Sequence, residues 1–288
     1  MLHEALFDTG QLTLNYAEGP PNGPAFVHLH AGAARWQYSE EFLLALSSDW
    51  HVYAPDLRGH GKSGHVPGAY LLRDYVPDVA AFLERVVGEP AIVHGHSLGG
   101  EVGVMLAAQY PRFVRALIVG DAPLSKRDHG TEEPTHRAQN ELWHKLAGRP
   151  TAEIAAALRQ TPVLDHTSGR RTTAGQLMGD DNTWFALQAT SLHQLDPDML
   201  EAVLAGPEVM LVDYEPEVLL PLIQCPVLLL QADPRQGGVL RDADVELALR
   251  LLAKPTLVRL AGVGHPLHGP PGMTPTILAA MSPFLSQL

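Results

Sequence analysis

Residues Ala91 to Pro111 read AIVHGHSLGGEVGVMLAAQYP. The first six form an apolar, partly β-branched run of strand length, and the run after Ser97 carries apolar residues at three-to-four spacing, as an amphipathic helix does. Between them stands GHSLG, Gly95 to Gly99, which fits the pattern G-x-S-x-G. Five letters alone are a weak signal. A strand leading in and a helix leading out make them specific, because that context sets Ser97 on a sharp strand-to-helix turn with its hydroxyl above the sheet. Gly95 and Gly99 then leave room where a side chain would collide with the neighbouring strand or helix. Ser97 is a candidate nucleophile with the positive end of a helix beneath it; the competing reading is a structural turn.

Outward from this turn, short apolar runs alternate with longer helical patterns. FVHLH (26–30), VYAPD (52–56), AIVHGH (91–96), ALIVGD (116–121), PVLLLQ (226–231) and TLVRLA (256–261) read as strands buried on both faces, hence as a mostly parallel sheet. SEEFLLALS, LLRDYVPDVAAFLERVV, LGGEVGVMLAAQY and DVELALRLLA read as crossover helices, TPTILAAMSPFLSQL as a closing helix, and EALFDTG with LTLNYAEG as an antiparallel hairpin at the sheet edge. The fold class is therefore α/β. Between Asp121 and about Leu220 no convincing strand appears, while THRAQNELWHKLA, TAEIAAALRQ and NTWFALQATSLHQL read as helices. This predicts a helical cap over 124–217 inserted into a core formed by 1–123 and 218–288, entered through a mobile hinge in PLSKRDHGTEEP.

A chain of 288 residues builds such a core without staples. Its one cysteine, Cys225, excludes an internal disulfide framework and suits a reducing compartment. MLHEALFDTG has no basic, long-apolar leader pattern and no segment is apolar enough to span a bilayer, so a cytoplasmic protein without membrane contact is expected. A formal charge of -12 without a basic stripe repels phosphate backbones, which argues against nucleic-acid binding. With 18% charged and 45% hydrophobic residues, the composition fits an enzyme-like globule. No helix shows a heptad seam, so monomer and homodimer both stay open.

These features together resemble the α/β-hydrolase superfamily: eight strand candidates, the serine turn, an insertion after the sixth strand and a late histidine. The resemblance covers nearly the whole chain. VHLHAGAARW is similar to the family's His-Gly loop, with Ala31 where the first glycine is common, and APDLRGHGKSG is similar to its Asp-x-Arg-Gly-His-Gly-x-Ser turn. The resemblance implies an α/β-hydrolase fold, with an eight-stranded sheet flanked by helices. It also implies an oxyanion hole from the amides of Leu98 and Gly32. It makes His265, in LAGVGHPLHG after the last strand, the general base, with His268 the alternative three residues on. No chelating spacing such as H-E-x-x-H occurs, so His28, His30, His60, His94 and His96 read as loop-orienting residues; neither a metal nor a cofactor is expected.

The acid departs from the family pattern. Where Gly-x-x-Asp usually follows the seventh strand, this chain has ADPR, with the cation Arg235 in the acid's place. Asp121, at the end of ALIVGD, and Asp233, two residues before Arg235, are both candidates, and a triad without an acid is the third possibility. Asp242 and Asp244 read as helix N-terminal charges. Trp36, Trp143, Trp184 and Phe185, with Leu187 and Met210, are candidate pocket residues, the competing role being packing. The expectation is a serine hydrolase acting through an acyl-enzyme on a mostly apolar ester, lactone or related carbonyl compound. The rivals are a non-hydrolytic enzyme on the same scaffold (a C–C lyase, a cofactor-free oxygenase or a perhydrolase) and a ligand-binding receptor with little turnover.

Overall fold

A computed structural model describes residues 1–126, 134–165, 169–269 and 272–288. Eight strands make one sheet: β1 (His3–Asp8), β2 (Thr13–Glu18), β3 (Ala25–Leu29), β4 (His51–Pro55), β5 (Ala91–His96), β6 (Val114–Gly120), β9 (Val227–Ala232) and β10 (Pro255–Leu260). Their order is β1-β2-β4-β3-β5-β6-β9-β10, with β2 antiparallel to both neighbours and every other pairing parallel. This is the mostly parallel eight-stranded sheet that the resemblance implies.

The central strands β3, β5 and β9 are buried at every residue because both faces of the sheet are covered there. Val27, Val93, Leu117 and Leu229 point into one core, and Phe26, Ile92, Ile118 and Leu228, one residue out of phase, into the other. Helices α1 (Glu40–Leu46), α2 (Leu72–Phe82), α3 (Leu98–Gln109), α11 (Asp242–Leu251) and α12 (Met273–Leu285) flank the sheet. The long pattern LLRDYVPDVAAFLERVV is α2 followed by a wider π turn over Leu83–Val87, which ends where Gly88 turns left-handed at φ 73°. Helix α3 differs from the amphipathic expectation: every residue from Leu98 to Ala108 is buried, so it runs through the centre of the molecule.

Between β6 and β9 lie α4 (Pro134–Leu146), α5 (Thr151–Arg159), α6 (Ala174–Met178), α7 (Thr183–His193), α8 (Pro197–Leu204) and the single turns α9 (Pro207–Met210) and α10 (Pro216–Leu219). The segment also holds an antiparallel ribbon, β7 (Pro162–Asp165) with β8 (Arg170–Thr173), where the sequence suggested no strand. Four-residue strands, one opening on proline and the other on two arginines, carry no readable alternation. Most of the expected hinge, residues 127–133, lies outside the described residues. Just before it, the Leu124 amide donates to Asp244 Oδ2 of α11 at 3.0 Å. The segment is tied to the sheet side elsewhere: the Asp196 amide donates to Gly59 O at 2.9 Å, and Tyr70 donates its hydroxyl to Asp196 Oδ2 at 2.6 Å.

Chain order reverses at β3, since β4 pairs on one side of it and β5 on the other. Loops leaving β3 and β5 therefore diverge and open a crevice at their carboxyl ends. Two buried histidines brace its rim. His30 Nε2 accepts the Leu57 amide at 2.9 Å, and His60 Nε2 accepts the Ala33 amide at 3.1 Å. Both rings must therefore carry their proton on Nδ1, which donates to Ala31 O at 2.7 Å and to Arg58 O at 2.8 Å respectively. Burial lowers His30 to about 4, and burial with the neighbouring His30 lowers His60 to about 3. An unfolded histidine titrates near 6.5, so the unfolded chain takes up these protons first. Stability is thus complete above that value and falls below it, by about 1 kcal/mol per pH unit for each ring. Thermal unfolding is expected at a lower temperature at pH 5.0 than at pH 7.5, with a shallower slope in His60→Gln; a melting temperature flat over this range would refute the neutral-brace assignment.

Candidate active site

Ser97 follows β5 with φ 53° and ψ -120°, a left-handed value that a side chain adopts only when its surroundings hold it there. The surroundings are backbone. A Cβ on Gly95 would stand 2.1 Å from Gly99 O, and one on Gly99 would stand 2.2 Å from Leu29 O, so only glycine lets β5, α3 and β3 close around the turn. The Ser97 amide donates to Gly120 O at 3.0 Å, and its carbonyl accepts the amides of Gly100 and Glu101.

Asp121 follows β6, fully buried, with φ 41°. Its carboxylate accepts four hydrogen bonds: from the amides of Ala232 at 3.1 Å, Val239 at 3.0 Å and Leu240 at 3.2 Å, and from His265 Nδ1 at 2.8 Å. Burial pushes this carboxyl up, but the hydrogen bond and charge of His265, with the Val239 and Leu240 amides, outweigh it and hold the group below the usual carboxylate value. Asp233 is occupied elsewhere. It accepts from the Arg235 amide and guanidinium and from the Gly262 amide at 3.1 Å, and these bonds, that from the Arg235 side chain foremost, hold it at about 2. Arg235 itself is 86% exposed.

His265 sits on the loop after β10, partly exposed, with its carbonyl accepting from His96 Nε2 at 2.8 Å. His96 is neutral, lowered to about 3 first by burial and then by the adjacent His265. Gly32 and Leu98 are neighbours, for a Cβ on Gly32 would lie 3.9 Å from Leu98 Cβ. In the loop after β3, the amides of Ala33 and Ala34 are taken by His60 and Ala31 O. Leu98 begins α3, so its amide has no acceptor within the helix.

Ser97, His265, Gly32 and Leu98 border one cavity of about 420 Å³. Trp143 of α4, Trp184 of α7, Met199, Leu200 and Val203 of α8, and Met210 wall it from above. No lysine or arginine is among the described residues that line it. Three expected pocket residues lie elsewhere. Trp36 is buried against the β1 side, its indole nitrogen donating to Glu4 Oε1 at 2.9 Å. Phe185 is wholly buried inside the inserted segment, edge-on to Trp184 at 5.3 Å and beneath Arg159 at 5.0 Å. Leu187 does not line the cavity either. Sequence reasoning missed Tyr38 and Gln188, which also border the cavity: Tyr38 donates its hydroxyl to Gln188 Oε1, and Gln188 Nε2 donates to Ala33 O at 3.2 Å. No motif marks this pair; the long-range packing of α7 on the β3 loop makes it.

The family model described as "Alpha/beta hydrolase family" matches residues 26–273. A curated relative, the 2-(acetamidomethylene)succinate hydrolase of Mesorhizobium japonicum (strain LMG 29417 / CECT 9101 / MAFF 303099), is 34% identical over 114 residues, 40% of this chain and 41% of the relative. The matched stretch thus spans about two fifths of that relative's length. Among solved structures, an E-2-(acetamidomethylene)succinate hydrolase aligns over 98% of this chain and 100% of its own, with TM-score 0.72 and 21% identity. The enol-lactonase from Burkholderia xenovorans LB400 aligns over 98% and 100%, with TM-score 0.69 and 17% identity. A model match over residues 26–273 and a sheet of this order carry one conclusion: the chain belongs to the alpha/beta hydrolase family.

Proposed function

We propose that this protein is a cofactor-independent serine hydrolase that cleaves a neutral, mostly apolar carboxylic ester or lactone. The observation that carries the reading is the Asp121–His265 hydrogen bond of 2.8 Å beside the strained Ser97 turn on a shared cavity. Asp121 fixes the His265 proton on Nδ1 and leaves Nε2 as the base. Ser97 Oγ bonds to the substrate carbonyl carbon while its proton passes to His265 Nε2, and the amides of Gly32 and Leu98 hold the oxygen that becomes negative. As the tetrahedral intermediate collapses, the C–O bond to the leaving alkoxide breaks and His265 returns the proton to it. Water then adds to the acyl-enzyme with His265 as base, releasing the acid and restoring Ser97.

The helical segment 124–217 acts as the cap that shapes the substrate end. Its tryptophan, leucine and methionine walls favour apolar groups. The curated relative's name carries a succinate, a dianion at neutral pH, whereas the cavity here offers no described lysine or arginine to pair with one. That difference supports a neutral substrate. Arg235, the cation in the acid's usual place, is turned to Asp233 and solvent, away from His265, whose Nδ1 pairs with Asp121.

A fluorophosphonate probe is expected to add once to the wild type, seen as an intact-mass shift, and not to Ser97→Ala; a folded wild type that takes up no probe would sink the hydrolase reading. Asp121→Asn should lower kcat on a short p-nitrophenyl ester by about a thousandfold or more, because the wrong histidine tautomer then prevails. Asp233→Asn should stay within a few-fold of wild type, and the reverse pattern would transfer the acid's role to Asp233. Hydrolysis rates across p-nitrophenyl esters and matched dicarboxylic monoesters should favour the neutral compounds by at least tenfold in kcat/KM; preference for the anionic series would refute the substrate class.

A further inference from the structure

Beneath the active-site floor, three histidines from distant parts of the chain meet in the core. His28 comes from the carboxyl end of β3, His94 from β5, and His268 from the loop beyond His265. His28 and His94 are wholly buried and His268 is 6% exposed. One ring nitrogen from each lies within 4.8 Å of the other two. The His28 and His94 rings stack with centroids 5.0 Å apart, while His268 stands edge-on to them at 5.0 and 5.2 Å.

Their hydrogen bonding is incomplete. His28 Nδ1 and His94 Nδ1 face each other at 2.9 Å, so a single proton between them serves both. His94 Nε2 and both nitrogens of His268 have no hydrogen-bond partner among the described residues although they are buried. Buried polar atoms are nearly always paired, and each orphan costs about 1–3 kcal/mol, so a ligand that engages one His268 nitrogen beside the shared His28–His94 proton relieves part of that cost. His28 Nε2, by contrast, is set by Ser39 Oγ at 2.7 Å, the outer hydrogen bond that orients a metal-ligating imidazole.

We propose that His28, His94 and His268 form a binding site for one borderline transition-metal ion of the zinc type, which ties the loop carrying His265 to the centre of the sheet. The ion takes the place of the proton between His28 and His94, and His268 supplies the third nitrogen. Metal–nitrogen bonds of about 2.0–2.1 Å need ligand nitrogens about 3.3 Å apart. A swing of the His268 ring closes the present spread. Imidazole donors without a carboxylate select zinc, copper or nickel over calcium or magnesium. The rings are already in the ligating form, since burial keeps His94 neutral down to about 3 and holds His28 and His268 well below the usual histidine value. Ser39 and His268 also border the cavity, which gives the ion a way in from that side. The spacing rules applied to the sequence could not register this site, because its ligands belong to three separate segments. It stands independently of the hydrolase mechanism.

The test is reconstitution of chelator-stripped protein with Co(II). Wild type is expected to gain the visible d–d absorption of a low-coordinate cobalt site at one equivalent per chain, and to retain one zinc per chain after dialysis. It should also melt at a higher temperature with stoichiometric Zn(II). His94→Phe and His268→Phe, which fill the volume without a ligand, should lose all three signals; the exposed His3→Ala should keep them. Absence of the cobalt band and of retained zinc in wild type, or an undiminished band in both phenylalanine variants, would overturn the proposal. Should those variants fail to fold, X-ray absorption on the zinc-loaded wild type decides alone. Three imidazole ligands at about 2.0–2.1 Å support the site, and an oxygen-dominated shell overturns it.

Discussion

One buried carboxylate holds the working end of the molecule together. Asp121 joins the tip of β6 to the end of β9 through Ala232, to the turn before α11 through Val239 and Leu240, and to the loop after β10 through His265. An anion stripped of water is expensive, and here three backbone amides and an imidazole take the place of its solvent shell. Those same bonds stabilise the left-handed backbone at Asp121, which has no glycine to relax it. The arrangement is demanding in one direction: the four donors come from three separate segments, so the carboxylate is satisfied only when all three are in register.

The opposite wall of the cavity is built from weaker, more numerous contacts. Apolar side chains of α4, α7 and α8 face the serine, and polar links between this wall and the sheet side include Gln188 to Ala33 and Asp196 to Gly59 and Tyr70. The proposed chemistry thus divides between a rigid floor, where backbone amides and a buried anion set geometry, and a cover whose apolar lining sets what fits.

Much of this was legible in the chain itself, and the limits are instructive. Ser97 at a strand-to-helix turn and His265 on a late loop are local patterns, readable within ten residues. The choice between Asp121 and Asp233 is not local. It turns on whether the glycine-containing loop Arg235–Leu240 folds back to lend amides to Asp121, and on Asp233 capping its own turn and accepting the Gly262 amide. Aromatic spacing placed Trp143, Trp184 and Phe185 together on inserted helices, but only packing separates a cavity wall from the interior of the segment, where Phe185 lies. The β7–β8 ribbon is not legible because its strands, PVLD and RRTT, are four residues each and neither alternates. The convergence of His28, His94 and His268 escaped notice because strand order, not sequence spacing, brings β3 beside β5.

The inserted segment leaves the sheet only a few residues after Asp121, yet a clamp stands between them. The Leu124 amide is fastened to Asp244 Oδ2, a buried carboxylate on the sheet-flanking α11, before the chain departs. Rearrangement beyond that point is therefore mechanically insulated from the anion that organises the floor. In evolutionary terms, the segment between β6 and β9 can exchange helices, lengthen loops or gain charged walls at little cost to Asp121, provided that it keeps the links from Gln188 to Ala33 and from Asp196 to Gly59 and Tyr70. One core of this kind can thus accept many covers, each a different choice of molecule to admit.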